Sequence, residues 1–339
     1  MTSKVLFFSI DRLGDYLIRS NVIKEISKHY TSTEIVTSDI NFKLINSQTF
    51  FDKIVKFDKN KNSKFEFLKK YFLKEYDAVI SFDGKRISKL LLFFIKSKFK
   101  YIFIHEKKGF LNKIFFFINI LLFKIFKIQY SILINRELIE TGKNDNYPNK
   151  YKRLNKLFNN NSQDTYYIEQ NNIVLKIKND FILIHLDEKF DDILNRESNL
   201  NEIFINFSKK SDKKIILTSY NNNSRYYKNF LIKKVNFSNL HEYNNDDKII
   251  IIENIPLNYF FEFIKKSFIS ISCHAGMIVH PAIYYKKKCI DIIHYHEINW
   301  VNCWTEESKY YKRIYKSVDK KNFRIKDILN EILILTKKY

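Results

Sequence analysis

Residues 4–26, KVLFFSIDRLGDYLIRSNVIKEI, decide how this chain of 339 residues folds. Val5 to Ile10 form a nearly unbroken apolar run, the signature of a strand buried on both faces in a parallel sheet. Ile18, Val22, Ile23 and Ile26 recur at helical spacing, which predicts a helix over 15–29. Between them lies Leu13-Gly14-Asp15, which uses one of only five glycines in the chain. Arg12, Gly14 and Asp15 therefore follow the carboxyl end of the first strand. Gly14 permits a positive φ or a close backbone approach. Asp15 either caps the first helix amides or serves as a general base toward a hydroxyl. Arg12 either meets an anion or faces solvent. The turn is neither a GxGxxG fingerprint nor a Walker loop with its lysine.

Outward from this stretch the same rhythm continues. Short strands are predicted at 34–37, 54–57, 77–82 and 101–105, with helical SKLLLFFIKSK after the Asp83-Gly84 turn. Asp83, Lys85 and Arg86 thus follow the end of another strand, where side chains reach either a ligand or their own turn. Residues 141–164 are polar and rich in Asn and Lys, with Gly142 and Pro148. That composition marks a junction, broken by a short helix around 151–158. Strands resume at 181–185, 214–218, 248–252, 268–272 and 288–293. Helices are predicted at 257–266, begun by Pro256, at 274–285 after a turn, and at 327–338. Alternating strands and helices imply parallel sheets with helical crossovers. The expectation is two Rossmann-like α/β domains, 1–160 and 161–339, with facing strand ends forming a cleft and the terminal helix packing back on the first domain.

The second half holds a denser polar cluster, SISCHAGMIVH over 270–280. A strand ending near Ser272, a small-residue turn and a helix would aim backbone amides at a phosphate. Gly276 would admit it closely, with Ser272 and His274 adding polar contacts. His280 reads either as a further ligand contact or as a hydrogen-bonded structural histidine. His185, Asp187, Glu188 and Lys189 follow another strand. Lys189 is either a countercharge for a diphosphate or half of a surface ion pair. His294, His296, Trp300 and Trp304 either cover a ligand or pack as aromatic core. No motif fixes a metal geometry, so neither metal nor cofactor is assigned.

Lys plus Arg number 59 against 37 Asp plus Glu, a formal charge of +22. Such a field favours phosphorylated substrates, anionic lipid or nucleic acid. No nucleic-acid module accompanies it, so no specific nucleic acid is expected. Three separated cysteines, Cys273, Cys289 and Cys303, and a start without a secretion leader point to a reducing cytosol. In FLNKIFFFINILLFKIFKIQY, 110–130, Lys113, Lys124 and Lys127 argue against a membrane span. Two readings stand for it: an ordinary core helix, or a basic amphipathic element touching anionic lipid.

Leu13-Gly14-Asp15, the segment 77–86, Glu253 before the Pro256 helix, and His274-Ala275-Gly276 with His280 occur in an order that resembles the family 9 glycosyltransferases. These are the heptosyltransferase-like enzymes of bacterial cell-envelope synthesis. The resemblance implies a GT-B fold and an inverting, metal-independent transfer of sugar from a nucleotide-sugar donor to a glycan or glycolipid acceptor of lipopolysaccharide or capsule type. It implies Asp15 as the base. It also implies acceptor binding around Arg12, Gly14, Asp83, Lys85 and Arg86, and donor binding by Lys189, Ser272, His274, Gly276 and His280. His274 stands where the family has an acid, the interval to His280 is one residue longer, and Asn21 lies where proline is frequent. The expected setting is the cytoplasm, peripheral to the inner membrane, with an anionic membrane surface as a candidate partner. Other readings are a GT-B sugar-nucleotide epimerase or hydrolase, or a degenerate basic protein that binds glycan or nucleic acid.

Overall fold

The structure, a computed structural model, describes residues 3–57, 64–72, 74–106, 109–135, 145–162, 164, 166–169, 177, 180–186, 190, 200–219, 230–242, 247–294, 297–305, 308–316 and 325–337. The chain divides into two compact units. One comprises Met1–Glu169 with Asn302–Glu306, and the other Gln170–Val301 with Glu307–Tyr339.

In the first unit the elements run β1 (Lys4–Ser9), α1 (Leu13–Leu17), α2 (Ser20–Ser27), β2 (Ser32–Ser38), α3 (Asp39–Ile45), β3 (Lys53–Phe57), α4 (Lys64–Phe72), β4 (Glu75–Ser81), α5 (Arg86–Phe94), β5 (Lys96–Glu106), α6 (Phe110–Ile125), β6 (Gln129–Asn135) and α7 (Tyr147–Leu157). The strands form one sheet in the order β3-β2-β1-β4-β5-β6, and every neighbouring pair is parallel. The order reverses between β1 and β4, which creates a switch point at their carboxyl ends, where open α/β sheets bind ligands. Leu6 and Phe8 of β1 share a core with Val36, Val79, Ile102, Leu91 and Phe123. Helices on the sheet thereby bury the apolar runs read from sequence.

The helix predicted over 15–29 is two helices. Arg19 takes φ −127° and ψ 2° between α1 and α2, and Ser20 Oγ donates to the Leu17 carbonyl at 2.8 Å. The kink turns Arg19 inward, where it is fully buried. The short helix expected around 151–158 within the polar stretch is α7, which begins earlier, at Tyr147, and buries Tyr147, Tyr151 and Leu154. The first unit accordingly runs to Glu169, past the division drawn at 160.

In the second unit the order is β7 (Ile182–His185), α8 (Leu200–Lys210), β8 (Ile215–Ser219), β9 (Lys234–Asn236) with a 3-10 turn at Phe237–Glu242, β10 (Ile249–Glu253), α9 (Leu257–Lys266), β11 (Ile269–Ser272), α10 (Gly276–Tyr284), β12 (Lys288–His294), α11 (Ile298–Asn302, which ends at the unit boundary), β13 (Tyr311–Lys316) and α12 (Ile325–Lys337). Its sheet runs β13-β12-β11-β7-β8-β10-β9, parallel throughout. The order reverses between β7 and β11, giving a second switch point. Ile325, Ile328 and Ile332 of the terminal helix join the core of Ile184, Leu217 and Ile290. The terminal helix thus lies in the second unit, whose core its apolar face completes.

Gly14 and Gly276 both lie in helical first turns, and the described glycines at positive φ are Gly84 and Gly109. Gly84 follows β4 at φ 56°, and a Cβ there would sit 2.5 Å from the Phe103 carbonyl oxygen. The positive φ offered for Gly14 is thus found at Gly84. Gly84→Ala should destabilise the protein by roughly 2 kcal/mol or more, read as a lowered urea midpoint, since strain and a backbone clash coincide.

Candidate functional site

Beyond the carboxyl end of β1, a buried cation organises two carboxylates. Arg19 Nη2 donates to Ser9 Oγ at 2.6 Å and to Asp11 Oδ1, and Nη1 donates to the Phe82 carbonyl at 3.3 Å. Its guanidinium carbon lies 5.1 Å from the centre of the Phe82 ring. Asp11, in addition, receives Ser9 Oγ at 3.4 Å. Although burial disfavours charge on Arg19, the neighbouring Asp11 carboxylate raises its pKa and keeps it a cation.

Asp15 is the third residue of α1 and is partly buried. Its Oδ2 accepts the Arg12 amide at 3.4 Å, a long contact that leaves capping incomplete. Burial, then the Asp11 charge, push its pKa from 3.8 up to about 7, against the opposing pull of Arg19. A carboxyl that titrates near neutrality at a switch point is suited to take a proton from a hydroxyl. Arg12 itself is exposed at the N-cap of α1.

Across the switch point, Asp83 is buried and fastens the ends of β1 and β4 together. Its Oδ2 accepts the Ile10 amide and its Oδ1 the Lys85 amide, each at 2.9 Å. Lys85 Nζ donates to the Ile10 carbonyl. Both side chains expected to meet an acceptor are thus bonded to the chain's own backbone. Arg86 is exposed on the first turn of α5.

The second switch point carries a different arrangement. Asp291, fully buried in the middle of β12, accepts the His274 amide at 2.6 Å and pairs with His274 Nδ1 at 3.2 Å. Tyr311 of β13 donates its hydroxyl to the same Asp291 Oδ2 at 2.7 Å, and Arg313 Nε donates to Tyr311 at 3.2 Å. His274 itself takes φ 54°, a left-handed conformation uncommon outside glycine. Two bonds to one carboxylate hold it there and turn the far edge of the imidazole away from Asp291. Ser272 is buried, with the Ala275 amide 3.5 Å from its Oγ, and Gly276 opens α10.

His280 is different. It is 1% exposed within α10, and burial followed by the His274 charge push its pKa down to about 3. It is a neutral core residue, so the ligand contact expected of it would require α10 to move. His185 is likewise buried, bonded to Thr218 Oγ1 at 3.0 Å, with its pKa pushed down to about 3 by burial. Asp187, Glu188, Lys189 and His296 lie outside the described residues. Trp304 packs on Tyr147 within the first unit, rings 5.9 Å apart. Cys273, Cys289 and Cys303 are buried free thiols. Among the described residues, no three His, Cys, Asp or Glu side chains gather as a metal site.

Sequence reasoning missed Arg19 and Asp291, yet both left a signal. Arg19 shares the apolar stripe of Val22, Ile23 and Ile26, and Asp291 interrupts CIDII in a strand otherwise apolar. A charge at a core position must find a partner.

No family model matches the chain, and no curated protein matches it in sequence. Solved structures do. ADP-heptose LPS heptosyltransferase II of E. coli aligns at a TM-score of 0.65 and 10% identity, over 99% of this chain and 100% of the other. E. coli heptosyltransferase WaaC with ADP-2-deoxy-2-fluoro heptose aligns at 0.61 and 11%, over 98% and 99%. A glycosyl transferase family 9 protein of Veillonella parvula aligns at 0.58 and 11%, over 99% and 89%. The chain thus has the GT-B fold of these proteins along nearly its whole length.

The raised pKa of Asp15 also affects stability. The folded state favours its protonated form, so its contribution is greatest below the unfolded carboxylate pKa and is lost as pH rises through about 7. Asp15→Asn should therefore raise the melting temperature at pH 8, with the gain closing toward pH 4. Calorimetry across that range checks the sign.

Proposed function

We propose that this protein is an inverting, metal-independent glycosyltransferase that moves a sugar from a nucleoside-diphosphate sugar to a hydroxyl of a bacterial envelope glycan or glycolipid, in lipopolysaccharide or capsule synthesis. The observation that carries this reading is Asp15, a carboxyl at the first switch point that titrates near 7, in a chain whose fold matches heptosyltransferases end to end.

In this mechanism the Asp15 carboxylate takes the proton of the acceptor hydroxyl. The oxygen forms its bond to the anomeric carbon from the face opposite the diphosphate. The sugar–phosphate bond breaks, and its electron pair leaves with the nucleoside diphosphate. Arg19 holds Asp11 beside Asp15, and burial, aided by the Asp11 charge, keeps Asp15 basic enough for the task. The second unit binds the donor: the turn at 272–276 presents the N-terminal amides of α10, and Asp291 sets the orientation of His274. Backbone donors preset in this way need no reorganisation as charge develops on the leaving diphosphate.

Incubation with a panel of nucleotide sugars, ADP-heptose among them, and envelope glycan acceptors should give a sugar-transfer product by mass spectrometry. Folded protein that binds ligands but forms no product across the panel would overturn the reading in favour of a binding protein. With a productive pair, kcat/KM should rise with pH through an apparent pKa near 7. Asp15→Asn should lower kcat/KM by about 10²–10⁴ while leaving donor affinity by calorimetry nearly unchanged. Near-normal turnover in that variant removes Asp15 as the base.

A further inference from the structure

Helix α6 reverses the usual pattern of a surface helix. Phe123 is buried, and with Phe116 and Ile120 it forms the stripe that packs on the first core. The opposite side is also apolar: Phe110, Leu111, Phe115, Phe117, Leu121 and Ile125 are 59% to 79% exposed. At about 100° per residue, this outer face spans roughly 160° of the circumference. The polar residues occupy the flanks between the two stripes, Lys113 and Lys124 along one and Asn112 and Asn119 along the other. The apolar surface continues onto α4 and α5, where the exposed rings of Phe72 and Phe94 pack 5.5 Å apart. Phe93 joins α5 to the end of α6, its ring 5.0 Å from Phe126.

We propose that this face docks on an anionic lipid bilayer, with α6 lying in the interfacial plane and its outer stripe among the acyl chains. The charge pattern chooses this occupant. Residues 107–136 contain six Lys or Arg and not one Asp or Glu. Lys113, Lys124 and Lys127 are exposed. Lysines flanking an apolar stripe bury their stems and raise their ammonium groups to the headgroups. A second copy docked through the same face would bring like charges together without an acid to match them. The helix has 16 residues, and no described helix is long and apolar enough to cross a membrane. An in-plane orientation is therefore the one that buries its outer face. This inference stands apart from the glycosyltransferase reading and is tested without a substrate.

Flotation with phosphatidylcholine vesicles, with and without phosphatidylglycerol, reads it directly. The full chain should float with the anionic vesicles, bind the neutral ones at least about tenfold more weakly, and release as salt rises. Replacing Phe115, Phe117 and Leu121 by Ser should lower anionic-vesicle binding at least about tenfold while leaving the fold intact by circular dichroism. Lys113→Gln with Lys124→Gln and Lys127→Gln should abolish the preference for anionic lipid. As a variant in which native packing is retained, Phe117→Trp should show blue-shifted emission quenched by brominated lipid. Failure of the folded wild type to float at low salt overturns the proposal, as does flotation unchanged by the serine variant. A dimer in sedimentation that the serine variant dissolves, with no vesicle binding by either protein, would assign the face to a second copy instead.

Discussion

The buried guanidinium of Arg19 is the interaction on which the first unit's site depends. It joins Ser9 at the end of β1 and Asp11 just beyond it to the Phe82 carbonyl after β4. One side chain thereby ties together the two strand ends between which the sheet reverses. Reaching them requires the break between α1 and α2, which in turn gives Asp15 a short helix of its own. Removing either member of a buried pair typically costs about 3–5 kcal/mol, because the other charge remains in the core. The same constraint adds to the chemistry: burial is the main force opposing ionisation of Asp15, and the fixed Asp11 charge reinforces it.

The two units reach comparable geometry by different electrostatics. Both present chemistry where strand order reverses, after β1 and β4 in one and after β7 and β11 in the other. In the first, a cation gathers acids. In the second, a single acid, Asp291, gathers a histidine amide, its imidazole and a tyrosine hydroxyl. A carboxylate with several donors can remain in a strand interior because its lone pairs are satisfied locally.

The fold was legible because parallel strands buried on both faces leave long apolar runs, such as VLFFSI at 5–10 and IIII at 249–252, and helices between them keep their own period. Helix α9 matches its sequence limits, 257–266, since Pro256 sets the start and the apolar stripe sets the length. The break at Arg19 was hidden because local periodicity runs through it; only the distant Ser9, Asp11 and Phe82 make the kink favourable. Asp15 and His274 were visible as residues at turns, whereas their partners were not. Asp291 lies on another strand, and its alignment with Ser272 is a product of sheet register. His280 read equally as a ligand contact or as a structural histidine, and only its burial in the core separates the two. The outward face of α6 was hidden for the opposite reason: an all-round apolar sequence states that a helix avoids water and does not say which side meets protein.

The brief return of residues 302–306 to the first unit bears on how this fold is inherited. There the Cys303 carbonyl accepts the Tyr147 amide at 2.8 Å, and Trp304 lies against the Tyr147 ring. The boundary between units is consequently crossed more than once, and neither unit is one uninterrupted length of chain. Recombination that exchanged everything after residue 169 would import a foreign patch into the first unit along with the new second one. Natural or engineered hybrids of this architecture must therefore inherit two compatible pieces, a large one that carries the second sheet and a five-residue graft that fits Tyr147.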